Sequence, residues 1–388
     1  MQQAGINVSG YCRAEDLDRV RDAGLTCLVN DSAIQKLVSG ETATDADIRI
    51  AVTALAARIR SHPAAFGVNL RDEPGVQQMP ILGRLAKELM SAMPGKLSYV
   101  NLLPNYASPQ QLGADTYEAY LREYLKTVGL PYLSWDNYSL RDGEMQQSFY
   151  DNLESVRKVT MEARIPFWNC ILAQALFRYM EPSDTTFSLQ VYATMAYGGR
   201  GIEFFTCFTP DIGNFRLAAV DQFGNRTATW DMLQRITNQI HALAPTLTKL
   251  HSTGVYHLPG TPASNESGTP LLKGVGTSAK LLIGEFTDDA GRPYVMVVNK
   301  SFKRIDQLPA AVAQRRRAVP SYFTRDGQRI GTWRRGKLAR ARFWYIGAHS
   351  QRDIRYLRLR VGDFRAIFRI TLQSIVIVGE RHRSDVYR

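Results

Sequence analysis

Two neighbouring carboxylates, Asp72 and Glu73, close the apolar run "AFGVNL" and are followed at once by Pro74 and Gly75, which turn the chain away. An alternating strand that gives way to acid at its tip places negative charge at a strand end. A carboxyl beside another carboxylate in a partly desolvated cleft holds its proton to higher pH, which suits Glu73 to general acid–base work. Such work needs a second, ionised acid. Asp136 in "LSWDNYS" is the first candidate, Glu203 inside "GIEFF" the second and Asp211 the third. Around them stand Tyr106, Trp135, Tyr138 and Trp168, whose flat faces can stack on apolar ring faces, and Asn101, Asn105 and Asn137, which offer directional hydrogen bonds to hydroxyl-rich ligands.

Other chemistries have little to stand on. The six histidines, at 62, 241, 251, 257, 349 and 382, fall into no metal-binding spacing, and there is no G-x-S-x-G elbow. No Gly-rich phosphate turn follows the first apolar run, so neither a nucleotide nor any other cofactor is expected. Cys12, Cys27, Cys170 and Cys207 each sit in or beside an apolar run with no C-x-x-C pairing, and they read as buried free thiols.

The elements that must position these residues alternate. Up to about residue 250, the apolar runs "AGINVSGY", "LTCLVND", "AAFGVNL", "LSYVNLLP", "LPYLSWDNY", "IPFWNCILA" and "GIEFFTCF" are separated by amphipathic stretches. Ile48, Val52, Leu55 and Ile59 share one helical face, as do Leu82, Leu85 and Leu89, and then Phe149, Leu153, Val156 and Ala163. Thr44 and Asp47 form a candidate N-terminal cap. Strand and helix in turn predict a parallel sheet covered by helices. Seven repeats in this length predict an α/β fold, a (β/α)8 TIM-like barrel lacking its first strand, with "MQQAGIN" as the last turn of a helix feeding the first visible strand. "NQIHALAPTLTKL" reads as its closing helix. A small β domain is predicted over 251–345, with "DDAG" as a hairpin turn and "ASNESGTP" as a surface loop. A basic β tail of two or three antiparallel strands is predicted over 346–388.

With the first visible strand counted as the second, "FGVNLRDEP" ends the fourth. There the chain resembles the retaining glycoside hydrolases with (β/α)8 barrels, the galactosidase-like clan, whose acid/base glutamate lies in an Asn-Glu-Pro-type motif at that strand end. The resemblance extends through "YVNLLPNY", "YLSWDNY", "PFWNC" and "GGRGIEFFTCFTP", roughly residues 1 to 300. It implies a carbohydrate substrate, hydrolysis of a glycosidic bond, and Glu73 as acid/base, with Asp72, Asn101, Asn105, Tyr106, Trp135, Tyr138, Trp168 and Gln174 around the sugar. At the seventh strand, where the clan keeps its nucleophilic glutamate, "IPFWNCILAQ" offers only Asn169 and Gln174, which leaves the second carboxylate open and a carbohydrate-binding protein without turnover as the alternative.

Charge divides the chain unevenly. From Lys300 onward there are 22 Lys and Arg against 6 Asp and Glu, whereas the 299 residues before carry 26 and 30. The stretch 352–388, with "LRLRVGDFRAIFRI" and "IVIVGERHRSDVYR", resembles the C-terminal half of RelE/ParE-type toxins. That resemblance implies RNA contact through Arg360, Arg365, Arg383 and Tyr387, although the family's N-terminal helices are not recognisable upstream, and a remnant joined by gene fusion is the plainer expectation. The positive charge alone would give weak nucleic-acid affinity. Hydrophobic residues at 45% and charged residues at 22% are ordinary for a globular protein. No apolar run reaches the roughly 18 residues that cross a bilayer, and the N-terminus has no basic start or apolar h-region, so a soluble, cytoplasmic chain is expected unless a secretion signal lay upstream.

Overall fold

The computed structural model describes residues 1–40, 43–258, 269–271 and 280–302, and the backbone alone of Leu272–Lys273 and of seven short strands beyond 302. The chain packs into two compact units. One comprises Met1–Ser139, Gln147–Ile171 and Gly201–Phe205, and the other Leu140–Gln146, Leu172–Arg200 and Thr206–Arg388.

The first unit is built on seven strands: β1 (Val8–Cys12), β2 (Thr26–Val29), β3 (Ala65–Asp72), β4 (Leu97–Asn101), β5 (Leu133–Asp136), β6 (Phe167–Leu172) and β7 (Gly201–Phe205). β1 to β4 pair in parallel in chain order, β5 pairs in parallel with β6, and β7 lies at the other side of β6. A parallel bridge between Leu102 and Trp135, with the Leu102 amide donating to the Ser134 carbonyl at 2.8 Å, joins the two sets into one run. The run curls, because side chains of strands far apart in it touch on one face. Glu203 of β7 meets Tyr99 of β4, and the Tyr11 ring of β1 lies 6.3 Å from that of Tyr99.

Six helices of this unit, α1 (Leu17–Asp22), α2 (Ser32–Ser39), α3 (Asp45–Ile59), α4 (Met79–Ala92), α5 (Tyr117–Thr127) and α6 (Gln147–Ala163), lie between the strands in sequence. Thr44 and Asp47 close the capping box expected of them at the start of α3, satisfying backbone donors that the first helical turn leaves open. Ile48, Val52, Leu55 and Ile59 are buried along α3, and Leu82, Leu85 and Leu89 along α4. On α6, Phe149, Leu153 and Val156 are buried, but Ala163 is exposed at the frayed last turn, where the stripe has run out. Gly67 of β3 sits where a Cβ would lie 2.2 Å from the Leu97 carbonyl, so the β3–β4 approach requires glycine there.

The cysteine expectation needs correction. Parallel pairing of β1 with β2 brings the Cα atoms of Cys12 and Cys27 to 6.3 Å, and the two form a disulfide, while Cys170 and Cys207 remain free thiols. Fifteen residues separate the pair in sequence, so only the strand register could reveal it.

In the second unit, α7 (Asp184–Ala196) packs on α8 (Ala228–Leu247), where the Arg235 guanidinium forks onto Asp184 at 2.9 Å through both nitrogens. α8 covers the first ten residues of the segment "NQIHALAPTLTKL" and ends at Leu247, three residues before the segment does. Strands β8 (His251–Leu258), β9 (Leu281–Thr287) and β10 (Pro293–Asn299) form an antiparallel sheet. "DDAG" turns between β9 and β10, with the Asp288 carboxylate accepting from the amides of Ala290 and Arg292. Gly284 of β9 would place a Cβ 2.2 Å from the Ala196 carbonyl, which fits it to the end of α7. "ASNESGTP" lies almost wholly outside the described residues. Arg355–Val361, Phe364–Thr371 and Ser374–His382 pair as an antiparallel meander, the strand pattern expected of the tail. Its register sets Arg360 opposite Arg365, and Arg383 and Tyr387 lie outside the described residues.

Candidate functional site

Strand alternation builds the site. Tyr99 and Asn101 of β4, Ser134 and Asp136 of β5, Trp168 and Cys170 of β6, and Glu203 and Phe205 of β7 occupy alternate positions and meet one another on the concave face. Register sets Ser134 beside Trp168 and Asp136 beside Cys170, so each strand contributes a deeper residue and one nearer its C-terminal end.

At the C-terminal ends stand the carboxylates. The Glu73 amide donates to the Asn101 carbonyl at 2.8 Å, and the Tyr120 hydroxyl donates to the Pro74 carbonyl at 2.7 Å. Held between these anchors, Glu73 adopts a left-handed backbone with φ of 48°, a conformation that non-glycine residues keep only under constraint. The Asp136 carboxyl lies near enough for the Glu73 charge to act on it. Two carboxylates so placed repel each other, which favours one of them keeping its proton. Asp72 is exposed beside them and accepts from the Asn101 side-chain amide at 3.0 Å.

Burial, with the nearby charges of Glu73 and Asp72 adding to it, pushes the Asp136 carboxyl up to about 8, against the pull of Tyr138 and Asn101. Partial burial and the Asp72 charge raise Glu73 as well. Arg71 does not compensate them, since its guanidinium donates to the Ser39 hydroxyl at 3.2 Å. Among the described residues no lysine, arginine or histidine pairs with Asp72, Glu73, Asp136 or Glu203, and no cluster of His, Cys, Asp and Glu could hold a metal ion.

Glu203 lies deeper on the same face. It accepts from the Tyr99 hydroxyl at 2.5 Å and the Ser134 hydroxyl at 2.9 Å, and burial raises its carboxyl against those two bonds. Trp168 stacks between Tyr132, at 4.8 Å between ring centroids, and Tyr99, at 6.4 Å. Tyr138 stacks on Phe205 at 5.5 Å, with its hydroxyl 3.7 Å from the Cys170 sulfur.

Comparison with known proteins adds similarities at the level of shape. No family model matches the chain, and no curated protein matches it. Solved structures similar to it include a β-galactosidase from the psychrophilic Marinomonas ef1, with 10% identity over 64% of this chain and 57% of that one and a TM-score of 0.45. A glucosidase from Croceicoccus marinus has 10% identity over 75% of this chain and 74% of that one, with a TM-score of 0.44. A β-galactosidase from the Antarctic haloarchaeon Halorubrum lacusprofundi has 11% identity over 63% of this chain and 55% of that one, with a TM-score of 0.47. The chain spans a little over half the length of these two galactosidases.

The residues singled out from sequence divide into three groups. Asp72, Glu73, Asn101, Asp136 and Tyr138 come together at the strand ends, with Trp168 on the same face. Trp135 does not: its position is one residue out of phase with Ser134 and Asp136, so it is wholly buried against Phe167, at 5.4 Å, as core. Asn105 and Asn137 serve a loop network. The Asn105 and Asn137 side chains bond each other at 3.2 Å, Asn137 donates to Asn152 at 2.9 Å, and the Asn105 side chain donates to the Ser148 carbonyl at 3.0 Å. The network tethers the loops after β4 and β5 to α6, and Tyr106 stands half exposed on that loop with its hydroxyl accepting from the Tyr138 amide at 3.4 Å. Gln174, which is buried, and Asp211, which is exposed, belong to the second unit. Sequence reasoning passed over Tyr11, Tyr99, Ser134, Cys170 and Phe205, although the two-residue period of their strands was the signal that could have found them.

Proposed function

We propose that the first unit is a (β/α)8-type barrel lacking one strand and that the protein hydrolyses a glycosidic bond at the Glu73–Asp136 pair. The observation that carries this reading is a pair of carboxyls close enough to feel one another at the ends of β3 and β5. A pair that keeps one proton between its members presents one acid and one anion, the two forms the reaction needs. Glu73, on the open side, is assigned the proton donation to the departing oxygen, and Asp136 the attack on the anomeric carbon or the activation of water. Tyr138, Trp168, Tyr106, Asn101 and Asp72 supply stacking faces and hydrogen bonds for the sugar.

Turnover of aryl glycosides by the protein and by Glu73→Gln tests this reading. Loss of turnover in the variant is expected, and equal rates would remove Glu73 from the mechanism. One observation favours binding without turnover: β6, at the place of the clan's nucleophile, carries no carboxylate. Sugar binding measured by calorimetry, with no hydrolysis, would select that second reading.

A further inference from the structure

The strand-end cluster is negative and lacks a counter-charge. Asp72, Glu73 and Asp136 lie together, and Arg71, the nearest cation in sequence, is turned to Ser39. A second feature is independent of the acids. The Asn101 side chain, 5% exposed, is fixed by donating its amide nitrogen to Asp72, which can only accept, and its carbonyl oxygen is thereby left buried with no donor. Oδ1 of Asp136, in a residue 8% exposed, is likewise buried without a donor. Burying an acceptor with nothing to bond costs free energy that a neutral hydroxyl of the protein could have removed. Two such acceptors, one of them on a member of the three-carboxyl cluster, ask for a ligand that brings several N–H donors and positive charge at once. An ammonium group has three donors and a full charge. A metal ion fits less well, since the described residues hold no cluster that could ligate one.

We infer that the sugar recognised at this site is an amino sugar with a free ammonium group, held by Asp72, Asp136 and the Asn101 carbonyl oxygen. The inference rests on the carbohydrate reading of the site but not on turnover. An ammonium brought in would also favour the ionised forms of Glu73 and Asp136, because it sets an opposite charge beside them.

Calorimetry with D-glucosamine and D-galactosamine, set against D-glucose, D-galactose and N-acetyl-D-glucosamine at pH 6.5, tests it. One of the two amines is expected to bind at least tenfold more tightly than its neutral and acetylated counterparts. That preference is expected to shrink in Asp72→Asn, which keeps the acceptor for Asn101 and removes the charge, and to shrink with added salt. Equal affinities, or no binding of any of these sugars, would overturn the inference. The two readings fail separately. Glu73-dependent hydrolysis of neutral aryl glycosides without a preference for the amine would keep the hydrolase and end the amino-sugar assignment. An amine preference without turnover would do the reverse.

Discussion

Glu203 and Asp136 are carboxyls on the same concave face, one layer apart, and both are raised by burial. They differ in what surrounds them. Glu203 has each oxygen met by a hydroxyl, from Tyr99 and Ser134. Asp136 has one buried oxygen without a donor and the charges of Glu73 and Asp72 acting on it. Burial alone therefore does not mark a reactive acid; the unmet acceptor and the like-charged neighbours do. A carboxyl that has its donors is fixed in place, whereas one held protonated by burial and like charge can give its proton up.

Turnover separates the two most sharply. Glu73→Gln removes the carboxyl assigned the proton donation and is expected to lower kcat/KM for an aryl glycoside by about 10²–10⁴-fold, the range for losing a general acid. Glu203→Gln, which keeps shape and most of its bonding, is expected to cost less than tenfold. Similar losses from both would erase the distinction and return Glu203 to candidacy as the second acid.

Stability reverses the ranking. Replacing both donors of Glu203, by Tyr99→Phe with Ser134→Ala, leaves a buried carboxyl unmet and is expected to cost about 2–3 kcal/mol in denaturant unfolding. A cost near zero would show that those bonds do not hold the deeper layer.

Much of this architecture was legible in the sequence, for identifiable reasons. The α3 stripe and its Thr44–Asp47 cap follow from local spacing, and both stand as read. Asp72 and Glu73 were visible because acids ending an apolar strand break a pattern. What was hidden depends on register between segments far apart in the chain. The Cys12–Cys27 bond, and Trp135 in the core with Trp168 on the concave face, follow from which residues of parallel neighbours stand side by side, and a single strand's sequence carries no record of that.

The pH dependence of stability sharpens the comparison at smaller scale. The Asp136 carboxyl is raised in the folded state, so between its unfolded value near ~4 and its folded value of about 8 the folded protein holds a proton that the unfolded chain releases. Stability must then fall as pH rises through that window, since folding retains the protonated form. Asp136→Asn removes the titration, and is expected to gain about 1–2 kcal/mol over the parent protein at pH 8 and nothing at pH 4. A gain independent of pH would mean that packing, not the proton, is responsible.

The smallest effect is expected at the loop that faces solvent. Tyr106 is 50% exposed, and its hydroxyl accepts from the Tyr138 amide at a long 3.4 Å. Tyr106→Ala is therefore expected to change unfolding free energy by no more than ~0.5 kcal/mol. If its ring is a face on which sugar stacks, the same change removes a contact worth about 0.5–1.5 kcal/mol, a two- to tenfold loss of sugar affinity with kcat little altered. Tyr138 provides the contrast on the neighbouring loop: its ring is stacked on Phe205 and its hydroxyl reaches Asp136, so Tyr138→Ala should disturb stability, affinity and the pH profile together. A Tyr106→Ala protein with unchanged stability and unchanged affinity would confine recognition to the strand ends, where the acids are.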